Sequence, residues 1–121
     1  MGKRVLAVDD SKTMRNMISF TLNGAGYNVT EANDGQEALT IAGKEDFDLI
    51  ITDVNMPNMD GITLLKNLRQ NSKFSSTPIL ILTTEGGSDK KQEGKAAGAT
   101  GWIVKPFDPD KLLQVVGKVC H

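Results

Sequence analysis

Short apolar runs at positions 4–8, 28–32, 48–52, 79–82 and 102–104 alternate along the chain with polar or amphipathic stretches. Three of these runs are continuous in β-branched and aliphatic residues, the pattern of strands covered on both faces. The second run has Val29 as its main apolar residue and is expected at a sheet edge. Between the first two runs, Met14, Met17, Ile18, Thr21 and Leu22 recur at helical spacing. Ser11 is placed to cap that helix and Gly24 and Gly26 to end it. Ala38, Leu39 and Ala42 after the Asp34-Gly35 turn predict a second helix, and Ile62, Leu64, Leu65 and Leu68 after Asp60-Gly61 a third. The last helix is predicted to start near Asp108 and Pro109 and to bury Leu112, Leu113, Val116 and Val119. Strand alternating with helix in this way implies a doubly wound α/β fold: right-handed crossovers, a mostly parallel sheet and helices on both faces.

One segment breaks the pattern. Positions 85–98 hold Asp89, Lys90, Lys91, Gln92, Glu93, Gly94 and Lys95, with only Ala96 and Ala97 apolar. Glycine in a helix interior costs about 1 kcal/mol relative to alanine, and no large side chain here compensates. A short or frayed fourth helix is the expectation.

The chain has 121 residues, enough for one core, and shows no repeat, linker or trailing segment that would carry an output domain. Fourteen Lys and Arg against fifteen Asp and Glu leave a net charge of −1, so bulk charge recommends neither nucleic acid nor an anionic membrane as a partner. Cys120 is the only cysteine, which excludes a disulfide framework and a paired-thiol zinc site and fits a reducing, cytoplasmic setting. The first apolar run meets Asp9 and Asp10 too soon for a signal peptide, and no stretch approaches a membrane span.

In an open parallel sheet, ligands bind beyond the carboxyl ends of strands, where strand order reverses. Acidic and polar residues stand at those ends: Asp9 and Asp10 after the first run, Asp53 after the third, Thr83 after the fourth and Lys105 after the fifth. With the first and third strands as neighbours, three carboxylates converge beside a hydroxyl and an ammonium. Unpaired carboxylates repel one another, so the cluster invites a divalent cation, and oxygen-only ligation favours magnesium, with manganese as the alternative. A carboxylate beside such an ion is able to attack phosphorus and form an acyl phosphate, with the cation and Lys105 neutralising the transferring oxygens.

Five segments together resemble a response-regulator receiver domain of the stand-alone, CheY-like chemotaxis type: VLAVDDS at 5–11, NDGQEAL at 33–39, LIITDVNMPNMDG at 49–61, ILILTTE at 79–85 and AAGATGWIVKPF at 96–107. They span nearly the whole chain and fall at every strand end that carries chemistry. The resemblance implies the flavodoxin-like strand order 2-1-3-4-5, which flavodoxin and CheY exemplify. It further implies that Asp53 is the phosphoacceptor, that Asp9 and Asp10 organise magnesium and that Asn55 offers its backbone carbonyl to the metal. Lys105 would pair with the phosphoryl group, and Lys105-Pro106 would be a cis peptide. Thr83 resembles the switch hydroxyl and Trp102 the aromatic that turns with it, at a position where the family usually carries Tyr. Trp is bulkier and offers only an N–H donor. Asn55 and Glu85 resemble residues that tune dephosphorylation. The implied partners are a CheA-like histidine kinase, a target such as a flagellar motor switch protein and an accessory phosphatase, and the protein would be a monomer, with self-catalysed phosphorylation and autodephosphorylation but no metabolic turnover.

Three rival readings share parts of the pattern. A haloacid-dehalogenase-type phosphatase wants its two Asp residues two apart after the first strand, whereas Asp9 and Asp10 are adjacent and Asp53 lies elsewhere. A flavodoxin-like electron carrier needs neutral hydroxyls and amides after its first strand, where two carboxylates would repel the phosphate. A phosphorelay shuttle or phosphate sink, passing the group to a histidine phosphotransfer protein, remains as the alternative.

Overall fold

The computed structural model describes residues 2–84 and 86–120. The chain runs β1 (Arg4–Val8), α1 (Lys12–Gly24), β2 (Asn28–Ala32), α2 (Gly35–Ala42), β3 (Leu49–Thr52), α3 (Gly61–Gln70), a 3-10 turn (Ser72–Phe74), β4 (Ile79–Thr83), α4 (Ser88–Ala97), β5 (Gly101–Val104) and α5 (Pro109–Val119). The strands pair in parallel in the order β2-β1-β3-β4-β5, as the resemblance implied. The thinly apolar β2 lies at an edge, where it needs a neighbour on one side only.

Alternate strand residues feed two separate cores because side chains on a strand point to opposite faces in turn. Leu6, Val8, Ile50, Ile79 and Ile81 pack with α2, α3 and the 3-10 turn on one side. Val5, Ala7, Leu49, Ile51, Leu80 and Leu82 pack with α1 and α5 on the other. Ser11, Asp34, Asp60 and Asp108 each accept a hydrogen bond from a backbone amide in the first turn of α1, α2, α3 and α5. These caps satisfy donors that the helix itself leaves unpaired.

Some expectations need correction. The buried stripe of α1 is Ile18, Ser19 and Leu22, with Met14 half-buried, whereas Met17 is 44% exposed and Phe20 84%. The stripe follows i, i+4 spacing, which leaves Met17 and Phe20 outside it. In α5, Leu112 and Val116 are buried, and Leu113 and Val119 pack against the core only in part.

The fourth helix is not short: α4 has ten residues, as many as α3 and more than the eight of α2. Its only buried residue is Gly94, and no side chain caps its start. What holds it comes from elsewhere in the chain. At its end Gly98 takes the left-handed conformation, φ 109°, with its own amide and that of Ala99 bonded back to Lys95 and Gly94. Arg69 of α3 then donates to the Gly98 carbonyl from Nε at 3.0 Å and Nη2 at 2.8 Å, and to the Phe74 and Thr77 carbonyls from Nη1. One guanidinium thereby ties the end of α4 to the turn before β4. Among the described residues no helix is long and apolar enough to cross a membrane.

Candidate functional site

Parallel pairing of β1 and β3 sets Val8 opposite Thr52, so the next residues, Asp9 and Asp53, leave the sheet side by side. The backbone fixes both: the Asp53 amide donates to the Val8 carbonyl at 3.0 Å and the Asp9 amide to the Ala32 carbonyl at 3.1 Å. Asp9 is 1% exposed and Asp53 8%, while Asp10 faces solvent. One carboxylate oxygen from each of the three lies within 4.8 Å of the others.

Lys105, following β5, reaches across β4 into this cluster. Its Nζ stands 2.7 Å from Asp9 Oδ2 and 3.1 Å from Asp53 Oδ2. The Lys105 amide donates to the Thr83 carbonyl at 2.8 Å, which continues the β4-β5 ladder to the site. The Lys105-Pro106 bond is cis, as expected. Burial pushes the Asp9 carboxyl above its ordinary value, more than its bonds to Lys105 and the Ser11 amide pull it down. Burial alone would lower the Lys105 ammonium, but its hydrogen bonds to Asp9 and Asp53 outweigh that and raise it, so it stays cationic.

The remaining Asp53 oxygen, Oδ1, accepts from the Val54 amide at 2.7 Å. Both oxygens of the central carboxylate are thus oriented, one by backbone and one by ammonium. The following loop is pressed against it: the Gly61 amide donates to the Val54 carbonyl at 2.8 Å, and a Cβ at Gly61 would fall 1.8 Å from the Asp53 carbonyl oxygen. Asn58 takes φ 69° in this loop and its Nδ2 donates to Asp34 Oδ2 at 2.8 Å. Asn55 is exposed two residues beyond Asp53.

Thr83 is fully buried at the end of β4. It pairs with Val104, and Trp102 pairs with Ile81, so the four residues share one face of the sheet, two register positions apart. Trp102 is half-buried against the α3 side of the core. Its ring lies under α4, where a Cβ at Gly94 would stand 2.6 Å from Trp102 Cζ3. The structure therefore brings together Asp9, Asp10, Asp53 and Lys105, sets Thr83 and Trp102 two register positions apart on one face of the sheet, and leaves Asn55 exposed in the loop after Asp53. Glu85 lies outside the described residues. Sequence reasoning did not single out Gly61 as a site residue, because a glycine after a capping Asp reads as an ordinary turn.

The donor set fits a hard divalent cation: three carboxylates, no nitrogen or sulfur ligand, and a buried ammonium already compensating part of their charge. Comparison with known proteins agrees with the fold. The chain belongs to the response regulator receiver domain family, whose sequence model matches residues 5–117. It is thus a signalling module of the two-component kind rather than a classical enzyme. Among its relatives, chemotaxis protein CheY-3 of Vibrio cholerae is 42% identical over 96% of this chain and 90% of its own length. Chemotaxis protein CheY1 of Helicobacter pylori is 44% identical over 92% and 91%. The solved structure of Vibrio cholerae chemotaxis protein CheY4 superposes with a TM-score of 0.95 at 55% identity, covering 98% of this chain and 99% of that one. The receiver domain of sensor histidine kinase PA1611 from Pseudomonas aeruginosa, solved with a magnesium ion in its active-site cleft, gives 0.92 at 26% identity and covers 99% and 98%.

Proposed function

We propose that this protein is a cytoplasmic, monomeric chemotaxis response regulator that accepts a phosphoryl group on Asp53 from a CheA-like histidine kinase in a magnesium-dependent reaction. The observation that carries the reading is the Lys105 ammonium bridging Asp9 and Asp53 while three carboxylate oxygens gather within 4.8 Å. The magnesium in the related PA1611 receiver supports the choice of cation. Asp9, Asp10 and Asp53, with the Asn55 backbone carbonyl, would hold it. Bound there, magnesium would neutralise negative charge on the transferring phosphoryl oxygens.

The residues of the chain do the rest. An Asp53 carboxylate oxygen forms a bond to phosphorus while the bond from phosphorus to the donor imidazole nitrogen breaks, and that nitrogen leaves with the electron pair. The Val54 amide and Lys105 hold the carboxylate for in-line attack, which converts a second-order encounter into an oriented one. Lys105, held protonated, exchanges a carboxylate partner for a phosphoryl oxygen. The Thr83 hydroxyl donates to another phosphoryl oxygen, and Trp102 turns on the face they share. The change reaches the surface of α4, β5 and α5, which docks on a target such as a flagellar motor switch protein. Attack of water on phosphorus later returns Asp53 to its free state, with Asn55 and Glu85 tuning access and an accessory phosphatase as a further partner.

The test is intact mass spectrometry after incubation with magnesium and a small-molecule phosphodonor, with Trp102 fluorescence followed in parallel. Expected is a single phosphoryl addition that chelation of magnesium or Asp53→Ala abolishes, together with an emission change in the wild type. An addition that survives Asp53→Ala overturns the assignment.

A further inference from the structure

Arg15 takes no part in the chemistry above, yet it is built into the back of the site. Its Nη1 donates to the Asp9 backbone carbonyl at 2.5 Å, and its Nε donates to Glu31 Oε1 at 3.1 Å. Glu31 stands on the edge strand β2, and its second oxygen accepts from the buried Ser19 hydroxyl at 2.9 Å. Two residues of α1, one turn apart, thus grip one carboxylate on β2, and the guanidinium left between them holds the peptide that joins Asp9 to Asp10. The Arg15 side chain is 15% exposed and its bond to the Asp9 carbonyl is partly buried, whereas the Glu31 side chain is 36% exposed.

The other face of the same residue is held as well. Asp9 Oδ1 accepts from the Ser11 amide at 2.9 Å, and its amide donates to Ala32. The Arg15 side chain bonds the Asp9 carbonyl just beyond the end of β1. A peptide free to rotate there would swing the Asp9 and Asp10 carboxylates apart, since both hang from the units that flank it.

We infer that Arg15, clamped by Glu31 and Ser19, is a positioning residue for the divalent-cation site, acting through the main chain of Asp9 rather than by touching the ion. This rests on the cation reading proposed above. A fixed cation behind a metal site is unfavourable by Coulomb's law alone, so two roles predict opposite signs. If Arg15 acted only through its charge, removing it would tighten cation binding. If it orients the acidic pair, removing it weakens binding, as loss of groups that orient metal ligands generally does.

The experiment is titration of the unphosphorylated full chain with magnesium chloride at constant ionic strength, read by calorimetry and by Trp102 fluorescence. Thermal unfolding without magnesium is recorded for each variant. Arg15→Ala is expected to bind magnesium roughly ten-fold more weakly than wild type. Arg15→Lys keeps the charge, but one ammonium does not span the Asp9 carbonyl and Glu31 together. It is expected to fall between, and it keeps the test available if Arg15→Ala does not fold. A variant whose unfolding midpoint drops while its magnesium affinity equals or exceeds that of wild type overturns the positioning role and leaves a structural one. Absence of magnesium binding by the wild type would instead overturn the cation site itself, so the two failures are distinguishable.

Discussion

At position 61 an added Cβ would collide with the Asp53 carbonyl oxygen, a backbone atom that does not move aside without moving the carboxylate. Gly61→Ala is therefore expected to lower stability by about 1–3 kcal/mol, as overpacking a tight site does. It should also abolish phosphoryl addition, with urea unfolding and intact mass as the readouts; a variant phosphorylated like the wild type would show the loop to be plastic. Such a residue was hard to read in advance because its importance lies in a close approach between backbones. Asp9, Asp53, Thr83 and Lys105 were legible for the opposite reason: a polar residue directly after an apolar run must emerge at the end of a strand. Arg15 gave no such signal, since a basic residue on an amphipathic helix reads as solvated until the partner on the edge strand is known.

For elements, α4 shows how tertiary contacts override a weak local pattern. It lacks an apolar stripe, yet it forms because Gly94 seats on the Trp102 ring and Arg69 fastens its end. Alanine is about 1 kcal/mol better than glycine in a helix interior, so propensity alone would have Gly94→Ala stabilise the protein. The contact with Trp102 predicts otherwise: altered emission and easier quenching of Trp102 in the unphosphorylated protein, with no rise in unfolding midpoint. A variant that gains stability with an unchanged spectrum would show the ring and the helix to be independent. The same contact makes α4 and Trp102 one packing unit, so with Trp102 in the switch role proposed above, amide exchange in α4 should respond to a phosphoryl analogue. Arg69→Met removes four carbonyl contacts of one guanidinium and leaves those oxygens partly buried. It is expected to speed exchange in residues 88–98 first, well before global unfolding, because the helix has little else to hold it.

At the scale of the whole molecule, α1 and α5 close over one core in which Cys120 and the half-buried Tyr27 take part. Burial pushes the Cys120 thiol above its ordinary value, and the Asp48 charge adds to it. Burial and the neighbouring Cys120 raise the Tyr27 phenol. Both groups are favoured in their neutral forms in the folded state, so the unfolded chain loses its protons first as pH rises. Their stabilisation is complete below the unfolded pKa values and is lost as pH climbs through the folded ones. Unfolding midpoints should accordingly fall above about pH 9, with Cys120→Ala making the decline shallower. Cys120 should also alkylate more slowly in the folded protein than after denaturation.

What the sequence determined by itself was local and periodic. Apolar runs of strand length, capping residues and i, i+4 stripes set the number and order of elements, because hydrophobic burial selects the period whatever the partner is. The acidic and basic residues at strand ends followed from that order, and the family segments supplied the strand arrangement. Only the tertiary structure decided which side chains close the distances. It set the Lys105 ammonium between Asp9 and Asp53, the Arg69 guanidinium on the last turn of α4 and the Arg15 guanidinium behind Asp9. Each joins elements far apart along the chain or separated by a turn, and its bond forms only once the sheet has brought its acceptor within reach. A periodic pattern does not encode that.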